Sequence, residues 1–390
     1  MLPEQTKEYN NDLKHQSNND LGNGFIKSIT IKNYKTIKNL ENFPLRNINI
    51  LIGANGAGKS NFLSFFDFVK EFARNHFDQY IARYDGQDRF LHYGREISDF
   101  IYGEIIDSND NGYEFKLNKT DGQNFQEEFV AGELLSIKDE SIRERLTFYE
   151  VLNGGSILCK AIDRVTDSII AQKLQLFHFN NTSVFAPIRI SNVDIDDYSY
   201  LRHDGENLPA ILKLIHDRFP TYYKMICDYI SLVTPDFAYF DFDTKEFSGQ
   251  TLRLKWFSKK NLDKSIAANR LSDGTLRFIA LATLLLMPEE LQPQLIIIDE
   301  PELGLHPKAI QIIAGLVKRI SLKRQFIIAT QSKDFIDYFQ DEAEDIIVID
   351  RDKLEYTTTL KRLDSEELKD WLEEYTVSEL WDMNYLGGKP

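Results

Sequence analysis

Short continuous apolar runs lie in two separate parts of the chain. They occupy residues 48–52, 295–298, 326–329 and 346–349. Runs of this kind are typical of strands that are buried on both faces of a parallel sheet. A helical pattern follows the first run, at about 59–77, and another begins at Pro307, a residue suited to the first turn of a helix. This alternation of strands with helices predicts an α/β fold for both parts.

The interval between those two parts mixes strand and helix patterns. Period-two alternation of apolar and polar residues predicts strands, at 100–106, 113–117, 236–242 and 251–257. Asp-Gly and Asn-Gly pairs predict hairpin-type turns, at 85–86, 111–112 and 121–122. Residues 78–160 are therefore expected to be strands joined by turns. Helices are expected at 206–218 and 221–232, a mixed helical pattern covers 161–180, and residues 181–200 have a loop-like composition.

The flanking segments are more polar. Residues 1–24 are rich in Asn, Asp, Gln, Lys and Gly, which predicts a disordered leader. Isoleucines then alternate with polar residues at 29–31, as in a strand, and a turn is expected at 33–36. A late strand is expected at 354–358, and residues 364–386 have an acidic helical pattern.

Composition narrows the classes of function. Hydrophobic residues make up 42% of the chain, which supports a sizeable core, and the net charge of −15 leaves no overall basic field for nucleic acid. A local basic run at 255–260 keeps DNA contact open as an alternative to a solvated face. The two cysteines have no metal-ligand spacing and fit a reducing cytoplasm. No apolar run is long enough to span a bilayer, so no membrane partner is expected.

The strongest chemical signal is the sequence Gly-Ala-Asn-Gly-Ala-Gly-Lys-Ser at 53–60. It stands between a predicted strand and a predicted helix, the setting in which G-x-x-x-x-G-K-[ST] forms a phosphate cradle. Glycine turns aim backbone N–H groups at an anion, and the helix start adds the positive end of its dipole. Lys59 is expected to reach the β- and γ-phosphates of ATP, and Ser60 to bind Mg²⁺. The expected nucleotide contacts are Asn55, Gly56, Ala57, Gly58, Lys59, Ser60 and Asn61.

Two carboxylates follow the apolar run at 295–298. Asp299 is expected to hold Mg²⁺, directly or through water, and Glu300 to orient and deprotonate the attacking water as a general base. A strand that ends in a solvated turn would have the same sequence. The phosphate loop upstream and Pro301 immediately after the pair favour the catalytic interpretation.

A second anion site is predicted at 271–277, before an apolar helix at 278–287. Ser272 and Gly274 would supply a hydroxyl group, unpaired N–H groups and a helix dipole. The alternative is an ordinary Ser-Asp N-cap, a role that Ser272 can have in either case. Its position just upstream of the Asp-Glu strand favours a nucleotide contact.

These segments together resemble an ATP-binding-cassette (ABC) ATPase of the RecF/SMC type. The resemblance identifies the Walker A loop, the signature, Walker B and the D-loop region, at 53–60, 271–275, 295–300 and 304–307. The turn at 33–36 resembles one that lies near the nucleotide, which implies a contact from Lys35. Segments 204–208 and 379–388 are similar to those of bacterial predicted AAA-family, OLD-like ATPases, many of which are found beside nucleases in phage-defence operons.

The chain departs from that family at the switch position. Most members have Thr-His-Ser after the last core strand, whereas this chain has glutamine at Gln331. Glutamine can donate a hydrogen bond to a γ-phosphate but cannot carry the positive charge of an imidazolium. Gln331 is assigned to the catalytic set, and hydrolysis is expected to be slow or to depend on a partner. Gln87 and Gln123 are the candidates for the glutamine of the Q-loop.

The resemblance implies a P-loop NTPase head of the ABC type, in the α/β class, with an inserted mixed β and helical lobe. Hairpins and short helices fill the interval in which SMC proteins carry long coiled coils, so no long coiled coil is expected. The expected division is a leader, the first part of the ATPase head, the inserted lobe, the second part of the head and a helical tail, at 1–24, 25–80, 81–262, 263–363 and 364–390.

The resemblance also implies a nucleotide-driven switch that binds and hydrolyses ATP. Two heads would sandwich two ATP molecules, each phosphate loop facing the signature of the other head. Such a dimer would act in the cytoplasm, in DNA-related processes or anti-phage defence, with a partner effector such as a nuclease. One alternative is a scaffold that binds ATP, hardly turns it over and restrains a partner nuclease or toxin. The other is a self-contained OLD-like nuclease built on Asp350 and Asp352, for which a charged turn is the favoured interpretation.

Overall fold

A computed structural model describes residues 21–73, 77–131, 174–183, 185–189, 193–244 and 251–388. Its helices are α1 (Lys59–Ala73), α2 (Phe77–Arg83), α3 (Leu208–Arg218), α4 (Pro220–Val233), α5 (Asp273–Leu286), α6 (Pro307–Ile320), α7 (Lys333–Asp337), α8 (Ser365–Leu372) and α9 (Val377–Asp382). Its strands are β1 (Ile26–Tyr34), β2 (Ile37–Pro44), β3 (Ile48–Ile52), β4 (Phe100–Asp107), β5 (Gly112–Asn118), β6 (Gln126–Ala131), β7 (Leu174–Phe177), β8 (Val193–Asp194), β9 (Phe237–Thr244), β10 (Thr251–Ser258), β11 (Asn261–Ala267), β12 (Leu295–Asp299), β13 (Gln325–Ala329), β14 (Ile346–Arg351) and β15 (Thr358–Arg362).

A six-stranded sheet positions the phosphate loop and the carboxylates after β12 relative to each other. Its strand order is β15-β14-β3-β13-β12-β7, and every neighbouring pair is parallel except β14 with β15. Strands β3, β13 and β12 are adjacent, so their carboxyl ends lie along one edge. Ligands of open α/β sheets bind outside that edge. The loop after β3 and the carboxylates after β12 are thereby brought to the same side of the sheet.

Two hydrophobic cores cover the two faces of this sheet. Alternate residues of β3 enter different cores: Ile50 lies in one, with helices α3 to α6, and Leu51 lies in the other, with helix α1. Likewise Ile296 and Ile297 of β12 face opposite cores. Because both faces are buried, these strands are continuously apolar rather than alternating.

Two further sheets are antiparallel. The first has the order β2-β1-β4-β5-β6 and packs on α1, where the rings of Phe65 and Phe115 lie 6.1 Å apart. The second has β10 paired with β9 and with β8 and β11. Strands β4 to β6 confirm the predicted strands at 100–106 and 113–117 and the turns at 111–112 and 121–122. Strands β9 and β10 confirm those predicted at 236–242 and 251–257.

Several sequence predictions were wrong. Residues 174–177 form strand β7 rather than helix, since four residues are too few for periodicity to separate the two; residues 161–173 lie outside the described residues. Residues 77–83 form helix α2, and Asp85-Gly86 leads from it into a 3₁₀ turn rather than a hairpin. The late strand is β15, because the Asp352 carboxylate accepts hydrogen bonds from the N–H groups of Leu354 and Glu355 and folds that segment into a turn.

The α/β class and the P-loop head are confirmed by this architecture. Among the described residues no helix exceeds the 15 residues of α1, so none there forms a long coiled coil. Across the same residues, no helix is both long and apolar enough to cross a membrane. The division of the chain into domains stays a prediction.

Candidate functional site

The phosphate loop occupies residues 53–58, between β3 and α1. Its glycines Gly53, Gly56 and Gly58 have φ values of +155°, +80° and +118°. Residues with a side chain rarely adopt such backbone conformations. A Cβ atom at Gly53 would lie 2.2 Å from Ile349 O. At Gly56 nothing lies within 4 Å of that position, and Asn55 and Gly56 are exposed. The loop is thus packed on one side and open on the other, as an anion cradle requires.

Lys59 lies at the start of α1 with its ammonium group inside the loop. The Nζ atom donates hydrogen bonds to Gly53 O at 2.5 Å and Ala54 O at 3.1 Å. Burial lowers the pKa of Lys59, while the negative charges of Glu300 and Asp299 oppose that effect. The lysine therefore sits within electrostatic range of both carboxylates that follow β12.

Asp299 and Glu300 occupy the end of β12, as expected for a Walker B motif. Burial, and next the charge of Glu300, raises the pKa of Asp299 to about 6. Glu300 has φ = +48°, and its N–H donates to Ala329 O of β13 at 2.8 Å. A non-glycine residue in this conformation costs about 1–3 kcal/mol, and such strain is characteristic of functional sites.

The switch residue Gln331 contacts the general-base candidate directly. Its Nε2 atom donates to Glu300 Oε1 at 2.6 Å. This amide therefore fixes one carboxylate oxygen of Glu300 and restricts its orientation. The sequence placed both residues in the catalytic set but could not reveal that they touch.

Glu302 was missed by the sequence interpretation. Its Oε1 atom accepts hydrogen bonds from Thr330 Oγ1 at 2.7 Å and from the N–H groups of Gln331 and Ser332 at 3.1 and 3.2 Å. Burial raises the pKa of Glu302. This carboxylate holds the backbone of the switch and so helps to place the Gln331 side chain. A second acid two residues after Glu300 was the only signal in the sequence.

The donor set fits Mg²⁺. Ser60 is exposed at the first turn of α1, and Asp299 is half-buried; a hydroxyl group and a carboxylate are the oxygen ligands that Mg²⁺ prefers. Burial raises the pKa of Asp299 because the carboxylate is withdrawn from water, and a bound cation would stabilise its negative charge. His178 Nδ1 lies 3.9 Å from Asp299 Oδ2, and burial lowers the pKa of His178, which favours the neutral imidazole.

Lys35 lies in the turn between β1 and β2, beside α1. Its Nζ atom donates to Ser64 Oγ at 2.8 Å, and burial lowers its pKa to about 8. Ser64 is four residues beyond Ser60 on the same helix, so the lysine is near the loop, and its contact with a nucleotide stays a prediction. Asn61, also predicted to bind nucleotide, donates through Nδ2 to Thr36 Oγ1 at 2.8 Å.

A pair of threonines braces the phosphate loop from outside. Thr358 Oγ1 lies 2.7 Å from Thr36 Oγ1 and donates to Ala57 O at 2.9 Å. A Cβ atom at Gly58 would lie 2.2 Å from Thr358 Oγ1, so only glycine fits there. Sequence alone gave no signal for this contact, which joins residues about 300 positions apart.

The signature segment begins helix α5. Ser272 is its N-cap, with the side-chain oxygen accepting a hydrogen bond from Thr275 N at 3.2 Å. Gly274 packs against the D-loop region, where a Cβ atom would lie 2.4 Å from Gly304 O. Arg277 Nη1 donates to Leu303 O at 2.6 Å and ties the same two segments together. A nucleotide contact from Ser272 or Gly274 stays a prediction.

Three other candidate residues have structural roles. Gln87 is buried, and its amide bonds Thr120 and Gly122 in the β5–β6 turn, so it braces a hairpin. Asp352 caps the turn described above, and Asp350 accepts from Gly388 N at 3.2 Å. No group of three or more His, Cys, Asp or Glu residues in the described ranges could hold a metal ion.

Comparison with known families agrees with this geometry. Residues 48–337, which run from the strand before the phosphate loop to the helix after the switch, match the family described as "AAA domain, putative AbiEii toxin, Type IV TA system". The chain belongs to this AAA family. It is an AAA ATPase with an ABC- and SMC-like head, as the motifs indicated.

One curated relative of this AAA ATPase is the energy-coupling factor transporter ATP-binding protein EcfA2 of Caldanaerobacter subterraneus subsp. tengcongensis. The two are 34% identical over 117 residues, which cover 30% of this chain and 38% of EcfA2. The match thus spans well under half of either protein.

Solved structures support the fold. An SMC head bound to the C-winged helix domain of ScpA has a TM-score of 0.60, with 14% identity over 89% of this chain and 99% of the other. An SMC head domain with an extended coiled coil, bound to the C-terminal domain of ScpA derived from Pyrococcus furiosus, has a TM-score of 0.52, with 14% identity over 90% and 99%. At this identity the likeness shows the fold of an SMC head.

Proposed function

We propose that this AAA ATPase binds ATP with Mg²⁺ and hydrolyses it. The observation that carries the proposal is the convergence of Lys59, Asp299 and Glu300 at one edge of the sheet, with Lys59 in electrostatic range of both carboxylates. Backbone N–H groups of the phosphate loop and the Lys59 ammonium would bind the phosphates of ATP. Glu300 would take the proton of the attacking water. Ser60 and Asp299 would hold Mg²⁺, which neutralises phosphate charge when bound.

We further propose that ATP drives two heads together. Ser272 and Thr275 are exposed or half-exposed at the start of α5, where the helix dipole favours an anion. A phosphate group bound to one subunit would find this anion site on the other. The packing of Gly274 against Gly304 and the Arg277–Leu303 hydrogen bond would make the signature and the D-loop region move as one unit.

The ATP-driven dimer would act on a partner protein in the cytoplasm. ScpA is bound to the SMC heads in the two solved structures, which supports the use of this fold to hold another protein. For this chain we propose an effector such as a nuclease, in anti-phage defence or a DNA-related process. The binding partner and any direct DNA contact belong to the proposal alone.

One observation favours the second candidate, an ATP-bound scaffold with slow turnover. Gln331 donates a hydrogen bond to Glu300 Oε1, so its amide would compete with the attacking water for that oxygen. A head of this kind would hold ATP for long periods and restrain its partner until the Gln331–Glu300 contact opens.

ATP binding is tested with Lys59→Ala. The variant should bind ATP about 10–150-fold more weakly, the equivalent of lost hydrogen bonds to a charged group. Lys353→Ala, which changes an exposed lysine in the 353–355 turn, should match the parent protein. Calorimetric titration with ATP and Mg²⁺ checks both, and equal affinity for all three proteins would contradict the assignment of the phosphate loop.

A further inference from the structure

A segment distant in sequence completes the outer wall of the phosphate loop. Residues 383–388 follow helix α9 and end beside Gly53 and Ala54. The carbonyl oxygen of Gly388 accepts a hydrogen bond from Ala54 N at 2.6 Å. The Gly388 N–H donates in turn to Asp350 Oδ2, at the end of β14, at 3.2 Å. The segment is therefore bonded both to the loop and to the strand beside it.

Gly388 is buried in a space that admits no side chain. A Cβ atom there would lie 2.7 Å from Val348 Cγ1 and 3.1 Å from Ile349 O. Its φ value of +72° also favours glycine. The Cα atom of Gly53 lies 3.5 Å from the same Cβ position. Packing as well as hydrogen bonding thus fixes Gly388 against the loop.

The bonded group is one peptide unit. The N–H of the Gly53–Ala54 peptide donates to Gly388 O, and the C=O of that same peptide accepts from Lys59 Nζ. A peptide unit is planar, so orienting its N–H also orients its C=O. Hydrogen bonds at the two ends of one peptide also polarise each other favourably. Gly388 is thereby linked to Lys59 through a single rigid group.

The other end of the segment is fixed to the switch region. Helix α9 precedes it and docks on α7, where Ser378 N and Oγ donate to the Asp337 carboxylate at 3.0 and 2.7 Å. Lys333 of α7 also pairs with Asp382 of α9. Helix α7 begins directly after Gln331, with Ser332 as its N-cap. The chain from α9 to Gly388 thus spans from the switch helix to the phosphate loop.

We propose that Gly388 is a positioning residue for Lys59. It holds the Gly53–Ala54 peptide in the orientation that keeps the Lys59 ammonium group inside the cradle, and Asp350 holds Gly388. The inference rests on the proposed binding of ATP at this loop. Because Gly388 contacts the outer wall, it does not touch the substrate, and it acts through the peptide.

Gly388→Ala in the full chain tests this role. The new methyl group cannot fit, so the 383–388 segment should leave the loop. Amide exchange of the peptide fragment that contains Ala54 should then accelerate in the nucleotide-free protein, and ATP affinity should fall about tenfold, the equivalent of one lost hydrogen bond. Gly315→Ala, in helix α6 with nothing within 4 Å of its Cβ position, is the matched control and should change neither quantity.

Two substitutions of Asp350 distinguish loss of this contact from a general loss of folding. Asp350→Asn keeps an oxygen that can accept from Gly388 N–H, so it should retain most of the ATP affinity, whereas Asp350→Ala should behave like Gly388→Ala. All variants should keep the parent melting temperature within a few degrees.

The outcomes separate this inference from the proposed function. If the parent protein binds no ATP, the proposed function is wrong. The exchange measurement needs no ATP: an unaltered exchange rate at Ala54 in Gly388→Ala would show that Gly388 does not hold this peptide. If the parent binds ATP and Gly388→Ala binds it equally well, the positioning role is wrong while the function stands. Equal ATP affinities for Asp350→Asn and Asp350→Ala would also overturn it.

Discussion

At the scale of single residues, the site is a set of carboxylates held by amide and hydroxyl groups. Glu300 has a positive φ, and its carboxylate accepts a hydrogen bond from the Gln331 side chain. The backbone N–H of Gln331 donates in turn to the Glu302 carboxylate. The sequence predicted Glu300 and Gln331, because short motifs carry the chemistry of both. It could not predict the role of Glu302, since that role depends on where β12 and β13 end relative to each other.

The perturbed carboxylate of Asp299 makes stability depend on pH. Its folded pKa of about 6 lies above the ordinary value of 3.8, so its contribution to stability is complete below about pH 4 and is lost as the pH rises through 6. The side chain in Asp299→Asn is neutral at every pH. At pH 8 the free energy of unfolding of this variant should therefore exceed that of the parent by about 1–2 kcal/mol, after allowance for solvent screening. Near pH 4 the two should agree. Urea unfolding in EDTA without nucleotide measures the difference, and a larger gain at pH 4 than at pH 8 would contradict this account.

Gln331→His tests whether the native glutamine limits turnover. Histidine can donate a charge-assisted hydrogen bond where the amide donates a neutral one, so hydrolysis should accelerate about tenfold. Gln331→Leu is the control, because it frees Glu300 without supplying a donor. Steady-state phosphate release measures all three proteins. An equal or lower rate in a folded Gln331→His protein would show that Gln331 does not set the rate.

At the scale of helices and strands, local sequence signals predicted an element correctly where its packing in the fold favours the same structure. The start of α6 was predicted from Pro307, because an N1 proline acts within one turn. Helix α5 begins at Asp273, before the predicted start at 278, with Ser272 as its N-cap. The prediction was wrong at β7 and β15. Strand β7 exists because it pairs with β12, and β15 is displaced because the turn at Asp352 takes the preceding residues.

The contact between α5 and the D-loop region can be tested with one methyl group. Gly274→Ala should force Gly304 away, since the Cβ atom would lie 2.4 Å from its carbonyl oxygen. ATP hydrolysis should fall while ATP affinity of the isolated head stays unchanged, because the phosphate loop is not altered. Gly315→Ala should instead stabilise the protein by up to about 1 kcal/mol, as expected for an open helical position. Unchanged hydrolysis in Gly274→Ala would mean that this contact is dispensable.

At the scale of the whole molecule, residues from distant parts of the chain surround one loop. Thr358, which is itself bonded to Thr36, donates a hydrogen bond to Ala57, and Gly388 accepts one from Ala54, across some 300 positions of sequence. Hydrophobic runs predicted the central sheet, since burial on both faces leaves a clear pattern. They could not predict the braces, because a threonine or a glycine has no periodicity that reveals its distant partner.

The central claim is that ATP joins two heads and that its hydrolysis separates them. Glu300→Gln keeps the size and one acceptor of the side chain but cannot take the proton of water, so hydrolysis should slow by about 10²–10⁴-fold. ATP would then persist, and a ligand that binds the closed dimer shifts the equilibrium towards it.

Light scattering coupled to size-exclusion chromatography, with ATP and Mg²⁺, measures this directly. The account predicts an ATP-dependent rise in molar mass from one head to two, larger and longer-lived in Glu300→Gln than in the parent and absent in Lys59→Ala. Loss of turnover in Glu300→Gln with no ATP-dependent change in mass would contradict the sandwich dimer, and near-normal hydrolysis would remove Glu300 from the role of general base.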